Sequence, residues 1–382
     1  MPDVLSERLT ALLTWFHRHP ELAFHEVQTT AKIRETLAEG GIPVFPGGTQ
    51  TGLIAVIEGG QPGPVVGLRC DIDALPFQEE SDLPYASCAP GVMHACGHDF
   101  HTTVMLGAAQ LLWQGRATMH GTVKIAFQPA EETSAGAPPF LNTPLLSDAS
   151  PFLAVHSYPG KPAGWVGVKE GAVMASVDRF KVDICGRGAH AAQPHKGVDP
   201  IVVQAAVIQA LQTIVSRTLS PFSSSVVSVT HVDAGTTWNV IPEHAMLEGT
   251  VRTLSPEDRT RIEAAFRRTV SGVCQAMGAQ ATIDWERSSG AVINDPALCR
   301  LARRVAEACG LQVGRQEDTL GGEDFSYYLA DRPGLFVRIG TGGDYPAHHP
   351  RFTVDPAALA PAARFFARLA LACLENPGGD CT

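Results

Sequence analysis

The spacing of apolar residues changes character twice along this chain of 382 residues, and those two changes restrict its fold more than any other feature. In the first part, segments with apolar groups at three- and four-residue spacing (6–18, 28–39, 103–113) alternate with short apolar runs bounded by Gly or Pro (53–57, 65–69, 123–127, 152–155). The former read as amphipathic helices and the latter as buried strands. Strands interleaved with helices imply an α/β sheet covered on both faces.

Near residue 175 the period switches to strict alternation. Residues 179–185, 225–231, 245–253 and 280–285 read as half-buried strands. A helix over 200–217 is expected to face inward with Ile201, Ala205, Ile208, Leu211, Ile214 and Val215, and Ser255-Pro256-Glu257-Asp258 is a strong start for another. The order strand-helix-strand-strand-helix-strand is a self-contained α+β layer. After residue 288 the helix-strand alternation resumes at 296–308, 335–339 and 356–374. These switches predict a small domain, 176–287, inserted into a larger one made of 1–175 and 288–382, as the length of the chain also suggests.

Within the larger domain, His94-Ala95-Cys96-Gly97-His98-Asp99-Phe100-His101 concentrates imidazoles, a thiol and a carboxylate beyond anything core packing requires. Thiolate with imidazole selects zinc, manganese, cobalt or nickel over magnesium or calcium. Gln128-Pro129-Ala130-Glu131-Glu132 follows a buried strand, and adjacent side chains in extended backbone point opposite ways. One carboxylate can then bind metal while the other serves as general base. His156 ends another apolar run and reads either as a ligand or as a hydrogen-bonded core histidine. One of His348 and His349 is a further candidate, and Asp71 or Asp73 can bridge metals or orient a ligating imidazole. The donor count exceeds one tetrahedral site and fits two divalent ions, in the manner of hydrolytic binuclear centres.

The net charge of −10 argues against nucleic acid or anionic membrane as partners. No run approaches about 18 uninterrupted apolar residues, and the N-terminal residues lack the pattern of a signal peptide. Nine scattered cysteines point to a reducing cytoplasm. Of these, Cys70, Cys185, Cys274, Cys299, Cys309 and Cys373 read as small buried hydrophobes, while Cys88 and Cys381 have no assigned place.

The islands, together with Leu68-Arg69-Cys70-Asp71-Ile72-Asp73-Ala74-Leu75-Pro76, Gly188-Ala189-His190, Asn239-Val240-Ile241-Pro242 and Gly322-Glu323-Asp324-Phe325, resemble the metal-dependent N-acyl-amino-acid amidohydrolases. That group includes hippurate hydrolases, aminoacylases and auxin-conjugate hydrolases, and the likeness runs over nearly the whole chain. It implies a zinc-exopeptidase-like catalytic domain with a mixed sheet covered by helices, and a ferredoxin-like lid that also forms a homodimer. It implies hydrolysis of small N-acyl amino acids, with Cys96, His98, Glu132, His156 and His348 as ligands of two divalent ions and Glu131 as base. Asp71 would take part in catalysis, His190 would donate to the oxyanion, and Asn239 and Arg252 would hold the substrate.

The stretch after Glu132 departs from that pattern, because Pro138, Pro139 and Pro144 disfavour a regular helix interior there. His17, His19, His25, His120, His231 and His244 read as surface or loop residues, and His101 as at most an indirect partner of the metals. Competing functions are a metallo-dipeptidase or carboxypeptidase, a non-catalytic binder of small carboxylated ligands, and a thiol enzyme using Cys96. Glu131 argues against the binder, and metal ligation of Cys96 against the thiol enzyme.

Overall fold

The computed structural model describes residues 4–376, which leaves Cys381 outside the described residues. The chain forms two compact units. The first runs up to Val173, returns for Ile293–Glu317 and resumes from Asp324; the second is Met174–Val292 with Asp318–Glu323. The short return over 318–323 had no counterpart in the apolar spacing.

The first unit is built on an eight-stranded sheet. Its spatial order is Val44–Pro46, Leu53–Glu58, His120–Gln128, Gln61–Asp71, Phe152–Pro159, Gly334–Gly342, Trp165–Gly167, Gln312–Gly314. The four central strands pair in parallel while Leu53–Glu58 and Trp165–Gly167 pair antiparallel with their inner neighbours, so the sheet is mixed. Residues 66–71 and 123–128 are buried without alternation, which requires cover on both faces. The helices Val4–Arg18, His98–Gly115 and Leu359–Glu375 share one core with this sheet.

Two stretches, Pro200–Thr218 and Pro356–Glu375, are long and apolar enough to cross a membrane by length and composition alone. The second owes its apolarity to the core it occupies, where Phe365, Phe366 and Leu369 are fully buried.

In the second unit four antiparallel strands lie in the order Ser225–Ala234, His244–Thr253, Ser176–Cys185, Gln280–Arg287. This is the ferredoxin-like order, with helices Pro200–Thr213 and Pro256–Ala276. Ser176–Cys185 alternates buried and partly exposed residues, as a sheet with one covered face must. Ser255 caps its helix as expected, its side chain accepting from the Asp258 N–H at 3.1 Å. Of the inner face expected for the helix starting at Pro200, Leu211 and Ile214 are buried and Ile208 and Val215 pack against the core, but the first turns are rotated. Val203, Val207 and Leu211, spaced by four, face the core, and Ile201 and Ala205 are exposed. Cys185 is also exposed and Cys309 only partly buried, since both lie at the ends of elements rather than within them.

Candidate metal centre and active site

The parallel strands of the first unit end near one another, where ligands of α/β sheets gather. Gln61–Asp71 ends at Asp71, His120–Gln128 runs out toward Glu131 and Glu132, and His156 lies within Phe152–Pro159. The helix after Cys96 begins five residues earlier than its apolar spacing suggested, at His98. Gly97 makes that start possible: its φ is +85°, and a Cβ there would come within 2.8 Å of Ser157 Oγ. His98 and His101 consequently share one face of the first helical turn.

Cys96 Sγ, the His98 ring and the Glu132 carboxylate place donor atoms within 4.8 Å of one another. Cys96 Sγ lies 3.6 Å from His156 Nε2, and Glu132 Oε1 lies 3.7 Å from His98 Nε2 and 3.4 Å from His348 Nε2. All five ligand candidates therefore converge. His349 turns away, stacked on Tyr345 at 4.4 Å and accepting from the Arg351 N–H. His348 has φ +65° and its N–H donates to Ala95 O at 2.8 Å, which ties its loop to the Cys96 segment. Ala130 and Ser134, on either side of the acid pair, also have positive φ, so uncommon backbone clusters around the donors.

The donor set fits a divalent cation. His98 Nε2 and Glu132 Oε1 are buried with no hydrogen-bond partner, a costly arrangement that a cation would relieve. His156 donates its Nδ1–H to Ser157 O at 2.8 Å, so its Nε2 lone pair faces Cys96. Burial, with the charge of Glu132, pushes the Cys96 thiol up to about 12, and ligation to a cation is what would reverse that. The alternative group Asp71, His98 and His101 is less open, because Asp71 Oδ1 and His101 Nδ1 already bond each other at 2.5 Å.

Around the donors lies a set of contacts that the sequence reading assigned only in part. Asp73 Oδ1 takes the His98 Nδ1–H at 3.2 Å, and Oδ2 accepts from the Glu132 N–H at 3.0 Å. Asp73, one of the two acids read as able to orient a ligating imidazole, thus holds two of the candidate ligands. Asp71 instead accepts from Arg69 Nη1 at 2.7 Å and from His101, whose Nε2 accepts from the Ser157 N–H at 2.7 Å. Its nearest candidate ligand atom, His98 Nε2, is 3.8 Å away. Burial pushes the Asp71 carboxyl up, but the charges of His98, His101 and Arg69 outweigh it and hold the group well below the usual range. Arg69 also donates to Asp324 at 2.6 Å and to Gln128 at 3.1 Å.

His17 corrects the surface reading given to it. It is buried, with Nδ1 at 2.7 Å from Asp99 and Nε2 at 3.1 Å from Glu79, directly behind the helix start that carries His98. His94 is buried too, and with both ring nitrogens unpartnered its burial pushes it down to about 4. The proline-rich stretch forms a short helix, Ala137–Leu141, with Pro138 and Pro139 in its first turn, where a missing N–H costs nothing.

The second unit brings His190 and Asn239 together. Ala189–His190 pairs with Val240–Ile241, and the Ala191 N–H donates to Asn239 O at 3.1 Å. His190 Nδ1 accepts from the Ala192 N–H at 3.1 Å, which places the ring proton on Nε2. Arg252 is half-buried and donates through Nε to Thr250 at 3.0 Å; among the described residues no carboxylate pairs with it.

Residues 67–372 match the peptidase family M20/M25/M40. The N-acetylcysteine deacetylase of Bacillus subtilis (strain 168) is 46% identical over 97% of this chain and 97% of its own. The thermostable carboxypeptidase 2 of Saccharolobus solfataricus is 34% identical over 93% of this chain and 92% of its own. The crystal structure of the Bacillus subtilis YXEP protein, described as a dinuclear metal-binding peptidase, is 43% identical with a TM-score of 0.90, covering 98% of this chain and 99% of that one. The chain belongs to the peptidase family M20/M25/M40.

Proposed function

We propose that this chain hydrolyses the amide bond of small N-acyl amino acids, releasing a carboxylate and the free amino acid. The observation that carries this reading is the convergence of Cys96, His98, Glu132, His156 and His348, with two buried donor atoms unpartnered and Glu131 adjoining Glu132. The family and its deacetylase member support the choice of bond.

The five residues would hold two divalent ions, which when bound supply Lewis acidity, polarising the acyl carbonyl and making water more acidic. Glu131 would accept a proton from the attacking water at its carboxylate and return it to the departing amine nitrogen. His190, with its proton on Nε2, would donate to the developing oxyanion, a contribution commonly worth about 3 kcal/mol. Asn239 would orient the substrate, and the Arg252 guanidinium would grip its α-carboxylate. Asp71 would act at one remove, fixing His101 and the strand that carries His156.

The second unit would serve as lid and as homodimer interface. Support comes from the edge strand Ser225–Ala234, with Val226 and Val232 exposed, and from Ile201 and Val202 exposed on the helix starting at Pro200. A cytoplasmic location fits eight free cysteines among the described residues.

The test is release of free amino acid from N-acetyl, N-benzoyl and N-arylacetyl amino acids, with dipeptides in parallel. Chelated enzyme is compared with enzyme resupplied with zinc, manganese, cobalt or nickel. Metal-restored cleavage of the acyl amino acids is expected. Cleavage confined to dipeptides would replace this reading with a carboxypeptidase, the activity named for the Saccharolobus relative.

A further inference from the structure

Glu26 lies outside the donor set and its supporting contacts, yet it is a fully buried carboxylate with both oxygens engaged. It precedes the helix Val27–Glu39. Its Oε2 accepts from the Thr51 hydroxyl at 2.6 Å, and its Oε1 accepts from the Ala130 N–H at 2.9 Å. Ala130 is the residue immediately before the Glu131-Glu132 pair, and its φ is +57°, a conformation that L residues with a Cβ rarely adopt. The Ala130 carbonyl closes the turn from the other side, accepting from the Ala135 and Gly136 N–H groups at 3.3 and 3.2 Å.

The direction in which a chain leaves a left-handed residue differs sharply from that of an extended one, so the backbone at Ala130 decides where the next two side chains point. Asp73 fixes the far side of the same turn through the Glu132 N–H. Without a partner for its own N–H, Ala130 would relax toward negative φ and carry both carboxylates with it. We infer that Glu26 is a positioning residue: its buried carboxylate latches Ala130 in the left-handed turn that aims Glu131 and Glu132 at separate targets. The inference rests on the roles proposed above for that pair.

The latch predicts a pattern across five variants, read by zinc titration calorimetry on the metal-free protein, by kcat and KM, and by thermal midpoint. Glu26→Ala should weaken zinc binding and lower kcat, each by about 10- to 100-fold, as loss of a partner behind a metal ligand typically does. KM should change little. Glu26→Gln keeps an acceptor oxygen for the Ala130 N–H and should retain most of both. Thr51→Val removes only the other hydrogen bond and should leave both unchanged. Ala130→Gly, which adopts positive φ without strain, should by itself be mild and, added to Glu26→Ala, restore most of the loss.

A Glu26→Ala loss that Ala130→Gly does not relieve, or that Thr51→Val equals, would overturn the latch and leave Glu26 a plain structural anchor. Wild-type zinc affinity and kcat in Glu26→Ala would overturn it as well. If the wild-type enzyme binds zinc but cleaves no acyl amino acid, the functional reading alone fails, and zinc affinity across the same variants still decides the latch.

Discussion

Arg69 and Asp324 are 255 positions apart in the chain and meet at 2.6 Å, with both side chains fully buried. Asp324 also accepts from Gln128 at 2.8 Å and from the Ala137 N–H at 3.1 Å, so it joins the guanidinium to the loop that carries Glu131 and Glu132. Removing Asp324 leaves Arg69 with Asp71 as a buried carboxylate partner and deprives Gln128 and the Ala137 N–H of an acceptor, and loss of one partner of a buried pair typically costs about 3–5 kcal/mol. Asp324→Ala is therefore expected to lower the unfolding free energy obtained from urea titration by a margin of that order.

Glu131→Gln keeps the shape of the side chain and removes its capacity to take a proton. Metal content by elemental analysis should stay at the wild-type level, while kcat falls by about 10²- to 10⁴-fold, the usual contribution of a general base. Ordinary turnover in this variant would assign the proton transfer to another group.

Asp73→Ala cuts the support beneath two candidate ligands, His98 and Glu132. Divalent metal affinity is expected to drop by about 10- to 100-fold. Asp71→Asn, whose contacts are with Arg69 and His101, should weaken metal binding less. Competition with a chromogenic chelator distinguishes the two.

The His17 cluster makes stability depend on alkaline pH. Burial alone would depress the imidazole, but bonds to Asp99 and Glu79 overcome this and raise it from 6.5 to about 10. The folded protein thus holds the proton more tightly than the unfolded chain. The resulting stabilisation is fully present below about pH 6.5 and is lost as pH rises through about 10. Urea midpoints should decline across that window, and His17→Phe should flatten the decline while lowering stability at pH 6.

What the sequence discloses and what it hides follow from the range of the forces involved. Cys96 and His98 lie two residues apart in one motif, Glu132 follows the exit of His120–Gln128, and His156 ends an apolar run that apolar spacing locates although the strand itself continues to Pro159. Apolar spacing does not distinguish His348 from His349; the family resemblance names His348, and the structure brings it to Glu132 while His349 stacks on Tyr345. Asp71 and Asp73 have the same chemistry two residues apart; which of them supports His98 depends on where the strand ends, at Asp71. His17 read as a surface or loop residue because its partners, Glu79 and Asp99, lie 62 and 82 positions away. Glu26 gave no signal for the same reason, being 104 positions from Ala130. Local periodicity reports elements, and the buried polar pairs between elements have no period at all.

The discontinuity of the first unit sets an order of events on the ribosome. In the large sheet, Gly334–Gly342 lies between Phe152–Pro159 and Trp165–Gly167. At typical translation speeds those two strands wait roughly ten seconds or more for the strand that joins them, with their edges open meanwhile. The second unit faces no such delay, since the elements of its core are all synthesised by Arg287. The nascent protein is thus expected to hold one completed core while its metal-binding half is still an incomplete sheet, with His348 among the last of the donors to leave the exit tunnel.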